Sequence, residues 1–296
     1  IADRLQIPFL LDFRDVIDRG WTTSFRTAVS QRLQSRRVRT ASRKATHCVF
    51  VTESERQRGM PQVACPEASV IPNGFFADQI EEAKKCVSTP ASDKFTLRLL
   101  GTCYPQQALG TFIDGLKLFF EDKVVCERAC FEYFGASGEM VSTAIQSAGL
   151  ASSCRISESV SPEHALTLTV SADLLILLTT TNGQSGVPGA KFYEYLASGR
   201  PILATGADSE VAGELKRFDA GLEVQTAESV HDRLKAAFAS WSRGEVQNGC
   251  VEPDSLRPFT RRNGVASLAQ LLDNAIPGHA AETPVRTDAL AHGVLS

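Results

Sequence analysis

The residues best suited to chemistry fall in one stretch, Thr181 to Thr205, reading TNGQSGVPGAKFYEYLASGRPILAT. Gly183, Gly186 and Gly189 make a glycine-rich loop, and the pattern after it predicts a helix over Ala190–Ser198 with Gly199 as its left-handed cap. A loop of this kind feeding a helix N-terminus gathers free backbone N–H groups and the positive end of the helix dipole, which is an anion site suited to a diphosphate. Lys191 and Glu194, three residues apart, face one side of that helix. Two readings stand side by side. Lys191 contacts phosphate while Glu194 accepts hydrogen bonds from ribose hydroxyls, or the two form an ordinary surface ion pair worth little.

A second candidate is the apolar run Phe9-Leu10-Leu11-Asp12-Phe13, which ends in Arg14 and Asp15. Charged residues at a strand's carboxyl end can reach a ligand, Arg14 to stabilise a departing phosphate and Asp15 to orient a hydroxyl. They can equally pair with each other, or Asp15 can cap the next helix. Between Asp18 and Glu53 there is no acidic residue, yet eight Lys or Arg lie there, although the whole chain carries a net charge of only -3. Arg32, Arg36, Arg39 and Arg43 recur at helical spacing on one face, opposite Val38, Ala41 and Ala45. That face suits an anionic membrane surface or a lipid-linked acceptor; the alternative is a solvated helix kinked near Gln34.

The five histidines are dispersed and form no triad with Ser or Cys. The eight cysteines include no CxxC pair, so zinc and a disulfide framework are not expected, and Cys103 is read as packing. Cys126 and Cys130 have the spacing of one helix face. No DxD motif accompanies the glycine-rich loop, and neither a metal nor a cofactor is expected. No apolar stretch approaches the roughly 20 residues of a membrane span, and no strand leads into GxGxxG, against a dehydrogenase.

These groups are positioned by short apolar strands alternating with amphipathic helices. Strands are expected over Pro8–Phe13, Cys48–Thr52, Ser69–Ile71, Thr96–Gly101, Ala129–Gly135, Asp173–Thr179 and Pro201–Ala204. Helices are expected over Gln107–Glu121, Gly138–Ala148, Pro162–Ser171, Ala190–Ser198, Glu210–Arg217 and Ser229–Trp241. The alternation predicts an α/β fold with parallel sheets. A polar stretch at 78–94 reads as a linker. The expected division is a partial Rossmann-like domain over 1–77, a complete one over 95–254, a closing helical segment over 255–276 and a disordered tail over 277–296. The opening at Ile1 reads as a truncation.

The run GVPGAKFYEYLASGRPILA resembles the donor-site motif of GT-B glycosyltransferases of the large family 4 clan, in particular a bacterial branch with K-x-x-E-Y-L-A-x-G-x-P-I. VIPNG at Val70–Gly74, the strand Phe95–Gly101, FEYFG at Phe131–Gly135, VSPEHAL at Val160–Leu166 and RPFTRRNGVASLAQLLDN at Arg257–Asn274 follow in the order that family shows. The resemblance implies two Rossmann-like domains and transfer of a sugar, with retention, from a UDP- or GDP-sugar. The acceptor would be a hydroxyl of a bacterial glycan or lipid-linked precursor, and the location cytoplasmic or peripheral at the inner membrane face. It implies donor contacts from Gly101, Thr102, Gly186, Val187, Gly189, Lys191 and Glu194, base contacts from Ser159 and Val160, catalytic roles for Arg14 and Asp15, and a closing helix that packs on the first domain. Two departures stand out. Gly186 occupies the place of the family's first glutamate, and the loop GTCYPQQALG (Gly101–Gly110) lacks the usual Arg and Lys, which leaves Lys191, Arg200 and backbone amides for the diphosphate. A nucleotide-sugar binder without catalysis and a GT-B epimerase are the rival readings.

Overall fold

A computed structural model describes residues 7–14, 28–87, 93–105, 107–180, 189–245 and 251–276. The chain divides into two compact units, one of the described residues up to Pro72 and from Gly264 onward, the other from Asn73 to Asn263.

The first unit is a parallel sheet in the order β1-β2-β3, built from β1 (Leu10–Phe13), β2 (His47–Phe50) and β3 (Ala68–Val70). Helix α1 (Ala28–Ser42) connects β1 to β2, and α2 (Glu53–Gly59) with a 3-10 turn at Met60–Gln62 connects β2 to β3. The core gathers Ala45, Cys48, Phe50, Val63 and Cys65, and Phe13 stacks on Phe50 with ring centroids 5.2 Å apart. Helix α1 runs continuously through Gln34.

The second unit opens with α3 (Ala77–Cys86), then β4 (Phe95–Leu100), α4 (Leu109–Phe119), α5 (Lys123–Arg128), β5 (Ala129–Phe134), α6 (Gly138–Ser147), β6 (Cys154–Ser157) and α7 (Pro162–Val170). It continues through β7 (Leu174–Leu178), α8 (Ala190–Ser198), β8 (Ile202–Thr205), α9 (Ser209–Arg217), β9 (Gly221–Val224), α10 (Ala227–Ser242), α11 (Pro253–Leu256) and the first turn of α12 (Arg261–Ala275). All six strands are parallel, in the order β6-β5-β4-β7-β8-β9. From β4 the chain winds outward one way and then returns to wind the other, so β4 and β7 are neighbours whose following loops diverge. In such sheets the crevice at the carboxyl ends of those two strands is where ligands bind.

Helices cover both faces, which is why β4 and β7 read as nearly continuous apolar runs. On one face Phe95, Leu97, Leu99, Phe131 and Ile176 pack against Phe112, Leu116 and Phe119 of α4 and Val230 and Leu234 of α10. Full burial of such side chains stabilises by about 1.5–3 kcal/mol each. On the other, Leu100, Leu175, Ile202 and Ala204 meet α3, α7, α8 and α9. The even positions of β4 also hold polar pairs: Thr96 donates to Asp173 Oδ2 at 2.8 Å, and Arg98 meets the buried Glu132 at 2.7 Å.

Three expectations change. The stretch read as a linker carries α3, with Ile80 and Ala83 buried against the second face of the sheet. Cys126 lies on α5 and Cys130 on β5, so they share no helix face. Strands β6 and β9 were not expected. They are the two edges of the sheet, and their polar residues, among them Arg155 and Glu223, hide the apolar run that marks an inner strand. The tail at 277–296 lies outside the described residues.

Helices α4 and α10 approach so closely at Gly115 that a Cβ there would lie 2.4 Å from Val230 Cβ and 2.7 Å from Ala227 O. Gly115→Ala is expected to lower stability by about 1–3 kcal/mol through overpacking, despite alanine's better helix propensity. Urea unfolding of the two proteins measures it; an unchanged or raised midpoint contradicts the packing described.

Candidate functional site

The site is built at the carboxyl edge of the six-stranded sheet. After β4 the chain turns at Gly101, whose φ of +107° is open to glycine and strained for other residues. The Tyr133 hydroxyl donates to Gly101 O at 2.8 Å and accepts from Ser137 N–H at 2.9 Å. Ser137 Oγ accepts from Cys103 N–H and donates to Cys103 O, so the Gly101–Cys103 turn is held at several points by the turn after β5. The next residues are tied to the end of β7: Gln107 Nε2 donates to Leu178 O at 2.8 Å, and Ala108 N–H to Thr179 O at 3.0 Å. Thr102 is exposed in this loop and Cys103 is buried. Burial pushes the Cys103 thiol up to about 11, away from the reactive thiolate form.

Helix α8 presents the charged pair. Its first-turn Lys191 Nζ donates to Glu194 Oε2 at 2.8 Å, with both side chains part-exposed. The stem of Lys191 runs over the β4 turn: a Cβ at Gly101 would come 4.0 Å from Lys191 Cγ. Among the described residues the N-cap, Gly189, contributes no side-chain hydrogen bond and the first turn holds no acidic residue, while Phe192 N–H donates to Gly189 O at 3.0 Å; the positive end of the α8 dipole therefore faces this edge. The helix is placed by its inward face, where Phe192, Tyr193, Tyr195 and Leu196 are buried. The Tyr195 hydroxyl also accepts Leu100 N–H at 3.1 Å, tying α8 to the end of β4. Gly199 is left-handed at φ +72° and ends the helix, as its spacing predicts.

Gly101, Gly189, Lys191 and Glu194 therefore come together. Ser159 and Val160 lie in the loop between β6 and α7 at the same edge of the sheet, Ser159 exposed and Val160 packed on the core. Gly186, Val187 and Asp15 lie outside the described residues. Arg14, in the first unit, pairs with Asp12 at 2.7 Å and reaches Ile71 O at 3.3 Å; Asp12 was not singled out in the sequence. Arg200 Nε donates to Val170 O at 2.8 Å, at the C-terminus of α7, which ties that side chain to the scaffold. Among the described residues no three His, Cys, Asp or Glu side chains cluster as metal ligands would, and no helix is long and apolar enough to cross a membrane.

A polar cluster that sequence reasoning missed lies at the ends of β7, β8 and β9. Glu223 accepts from the Thr179 hydroxyl at 2.5 Å and from Asp208 N–H at 2.9 Å. Its signal in the sequence was weak, a lone glutamate in a short edge strand.

No protein-family profile matches the chain, and no curated protein does. Solved structures do. HepE of Anabaena, in complex with UDP-glucose, superposes with a TM-score of 0.68 at 14% identity, over 92% of this chain and 74% of that one. The trehalose-phosphate synthase of Burkholderia xenovorans, with glucose-6-phosphate, gives 0.69 at 11% identity over 92% and 70%. The sucrose-phosphate synthase of Thermosynechococcus elongatus gives 0.66 at 13% over 91% and 69%. The fold is GT-B. Both parallel sheets, of three and six strands, are those of a GT-B chain, and the α/β expectation stands. Within this GT-B chain the turn after β4 and the start of α8 flank the crevice between the diverging loops of the larger sheet. The arrangement can hold a dianion at the α8 amides and Lys191, and Glu194 can accept from neighbouring hydroxyls once Lys191 is drawn away.

Burial holds the Glu223 carboxyl above the usual carboxylate range, outweighing the Thr179 and Asp208 hydrogen bonds that favour its anion. With a folded-state pKa above the unfolded one, the folded chain takes up this proton first as pH falls. Its contribution to stability is full below the unfolded pKa and is lost as pH rises through the folded one. Wild type is therefore expected to gain stability relative to Glu223→Gln as the pH falls from about 7 to the ordinary carboxylate value of 4.5. Urea unfolding at both pH values tests it, and parallel profiles contradict it.

Proposed function

We propose that this chain is a glycosyltransferase that moves a sugar from a nucleotide-diphosphate donor to a hydroxyl acceptor, and that its second unit binds the donor. The observation that carries the reading is the Lys191–Glu194 pair on α8, set over the Gly101 turn at the switch point between β4 and β7. The diphosphate is assigned to the α8 amides, Lys191 and the backbone of Gly101, Thr102, Gly186, Val187 and Gly189. Glu194 is assigned to the ribose hydroxyls, and Ser159 and Val160 to the base. HepE structures with UDP-glucose and with UDP favour UDP over GDP as the nucleotide here.

In this scheme the charge that grows on the leaving diphosphate is met by fixed amides and one ammonium, which stabilise it more in the transition state than in the ground state. Arg14 and Asp15 are proposed as the first unit's catalytic contributions, to the leaving phosphate and the acceptor hydroxyl respectively. Retention of configuration and a role in bacterial glycan or lipid-linked precursor synthesis belong to the same proposal, as does a cytoplasmic site of action.

Calorimetric titration with UDP, GDP and ADP tests the donor site. Saturable binding of UDP is expected, weakened about tenfold or more in Glu194→Ala, since a hydrogen bond to a charged group contributes about 1.5–3 kcal/mol. Lys191→Ala is expected to weaken UDP binding and to flatten its salt dependence. A folded chain, verified by circular dichroism, that binds none of the three nucleotides sinks the proposal.

A further inference from the structure

Helix α1 of the first unit carries a second concentration of charge that the donor site does not use. Arg32, Arg36, Arg37, Arg39 and Arg43 are all exposed, and among the described residues none meets a carboxylate within ion-pairing distance. Three of them, Arg36, Arg39 and Arg43, line an open basin of about 520 Å³ together with Ser35, Thr40, Pro61 and Gln62. One wall is the arginine stripe of α1 and the other is the 3-10 turn after α2.

The walls are fixed to each other. The buried Ser42 hydroxyl, near the end of α1, accepts Ala64 N–H at 2.8 Å and donates to Arg39 O. Gln62 Nε2 donates back to Arg58 O, and the Thr40 hydroxyl is spent on Arg36 O, whereas the Ser35 hydroxyl has no partner among the described residues. Steps of three and four along a helix set successive side chains roughly 5–6 Å apart on one face. That is the separation at which neighbouring phosphates of one ligand each find a guanidinium. Arginine's planar donor fork matches phosphate oxygens two at a time.

We propose that this basin binds a soluble anion carrying two phosphate groups, held by Arg36, Arg39 and Arg43 with Ser35 as a further donor. The volume leaves room for an organic group attached to the phosphates. A membrane surface is the weaker occupant. Within α1, Leu33 is the one exposed large apolar residue among those whose side chains are described, too little to insert, and the arginines face a concave basin that a flat bilayer does not fill. The site lies within the first unit and does not depend on the donor-site reading.

Residue-resolved modification by phenylglyoxal, read by mass spectrometry, tests the proposal. Inorganic pyrophosphate, against potassium chloride at equal ionic strength, is expected to slow modification of Arg36, Arg39 and Arg43 severalfold. Arg37, exposed on the neighbouring face of α1 and not in the basin, should react unchanged. The triple variant Arg36→Gln, Arg39→Gln, Arg43→Gln should lose at least tenfold in pyrophosphate affinity at this site, measured in a Lys191→Ala background to lessen competition from α8. Equal protection of Arg37, or protection by chloride alone, means screening without a site and overturns the proposal. Protection by phosphatidylglycerol vesicles with pyrophosphate silent overturns it in favour of membrane contact.

Discussion

Two backbone turns that touch set the geometry of the whole carboxyl edge of the larger sheet. A Cβ at Gly135 would lie 2.0 Å from Gly101 O, so the turn after β5 can lie against the turn after β4 because position 135 has no side chain. The contact puts Gly101 O within reach of the Tyr133 hydroxyl and brings Ser137 under Cys103. Both are local bonds with modest net worth, about 0.5–1.5 kcal/mol each. Their effect is larger than that figure, because they hold the turn in the open conformation that Gly101 needs and leave the space above it to Lys191. Tyr195 completes the arrangement from the other side by fixing α8 to Leu100.

The scaffold takes up two cations at the end of α7. Arg98 donates to Leu168 O and Ser171 Oγ, and Arg200 to Val170 O, so two guanidiniums neutralise the negative end of α7. What remains over the Gly101 turn is Lys191, itself half-neutralised by Glu194. A part-exposed ion pair of this kind contributes about 0–1 kcal/mol, which makes it easy to exchange. On the proposed reading a diphosphate takes Lys191 from Glu194, and Glu194 is thereby freed to accept hydroxyls. One ligand would then satisfy both partners of the pair, and neither would be left unpaired when the site is empty.

Much of this was legible in the sequence, and the reasons differ by element. The inner strands β4 and β7 are buried on both faces and announce themselves as apolar runs; α8 appears within its observed bounds because a glycine-rich loop precedes it and Gly199 ends it. Gly101 was named on the family resemblance, and Lys191 and Glu194 on the three-residue spacing that sets them on one side of a helix. Spacing says nothing of tertiary partners. Arg200 sits in the motif beside the site, and only the packing of α7 shows that its Nε is bonded to Val170 O. Asp12 and Glu223 are single charged residues in short strands, without a repeat to betray them, and their roles arise from Arg14 and from Asp208 N–H. Helix α3 was hidden by its polarity. It buries only Ile80 and Ala83 through a narrow stripe, and eight of its ten residues face outward or lie at its margin.

The charge of α1 raises a different question, since a stripe of arginines at helical spacing repels itself by a few tenths of a kcal/mol per pair and meets no carboxylate among the described residues. The repulsion is tolerated where the guanidiniums reach into water, but here three of them are gathered toward one basin whose walls are tied by Ser42. Such a surface is less stable empty than it would be with its charge met, so an anion that binds there stabilises the first unit by mass action. Among the described residues that unit's core cluster, Ala45, Cys48, Phe50, Val63 and Cys65, lies against a three-stranded sheet. The same comparison separates the two sites physically. At α8 the positive potential comes mostly from backbone amides whose positions the fold fixes, whereas at α1 it comes from side chains, and it should fall more steeply with added salt.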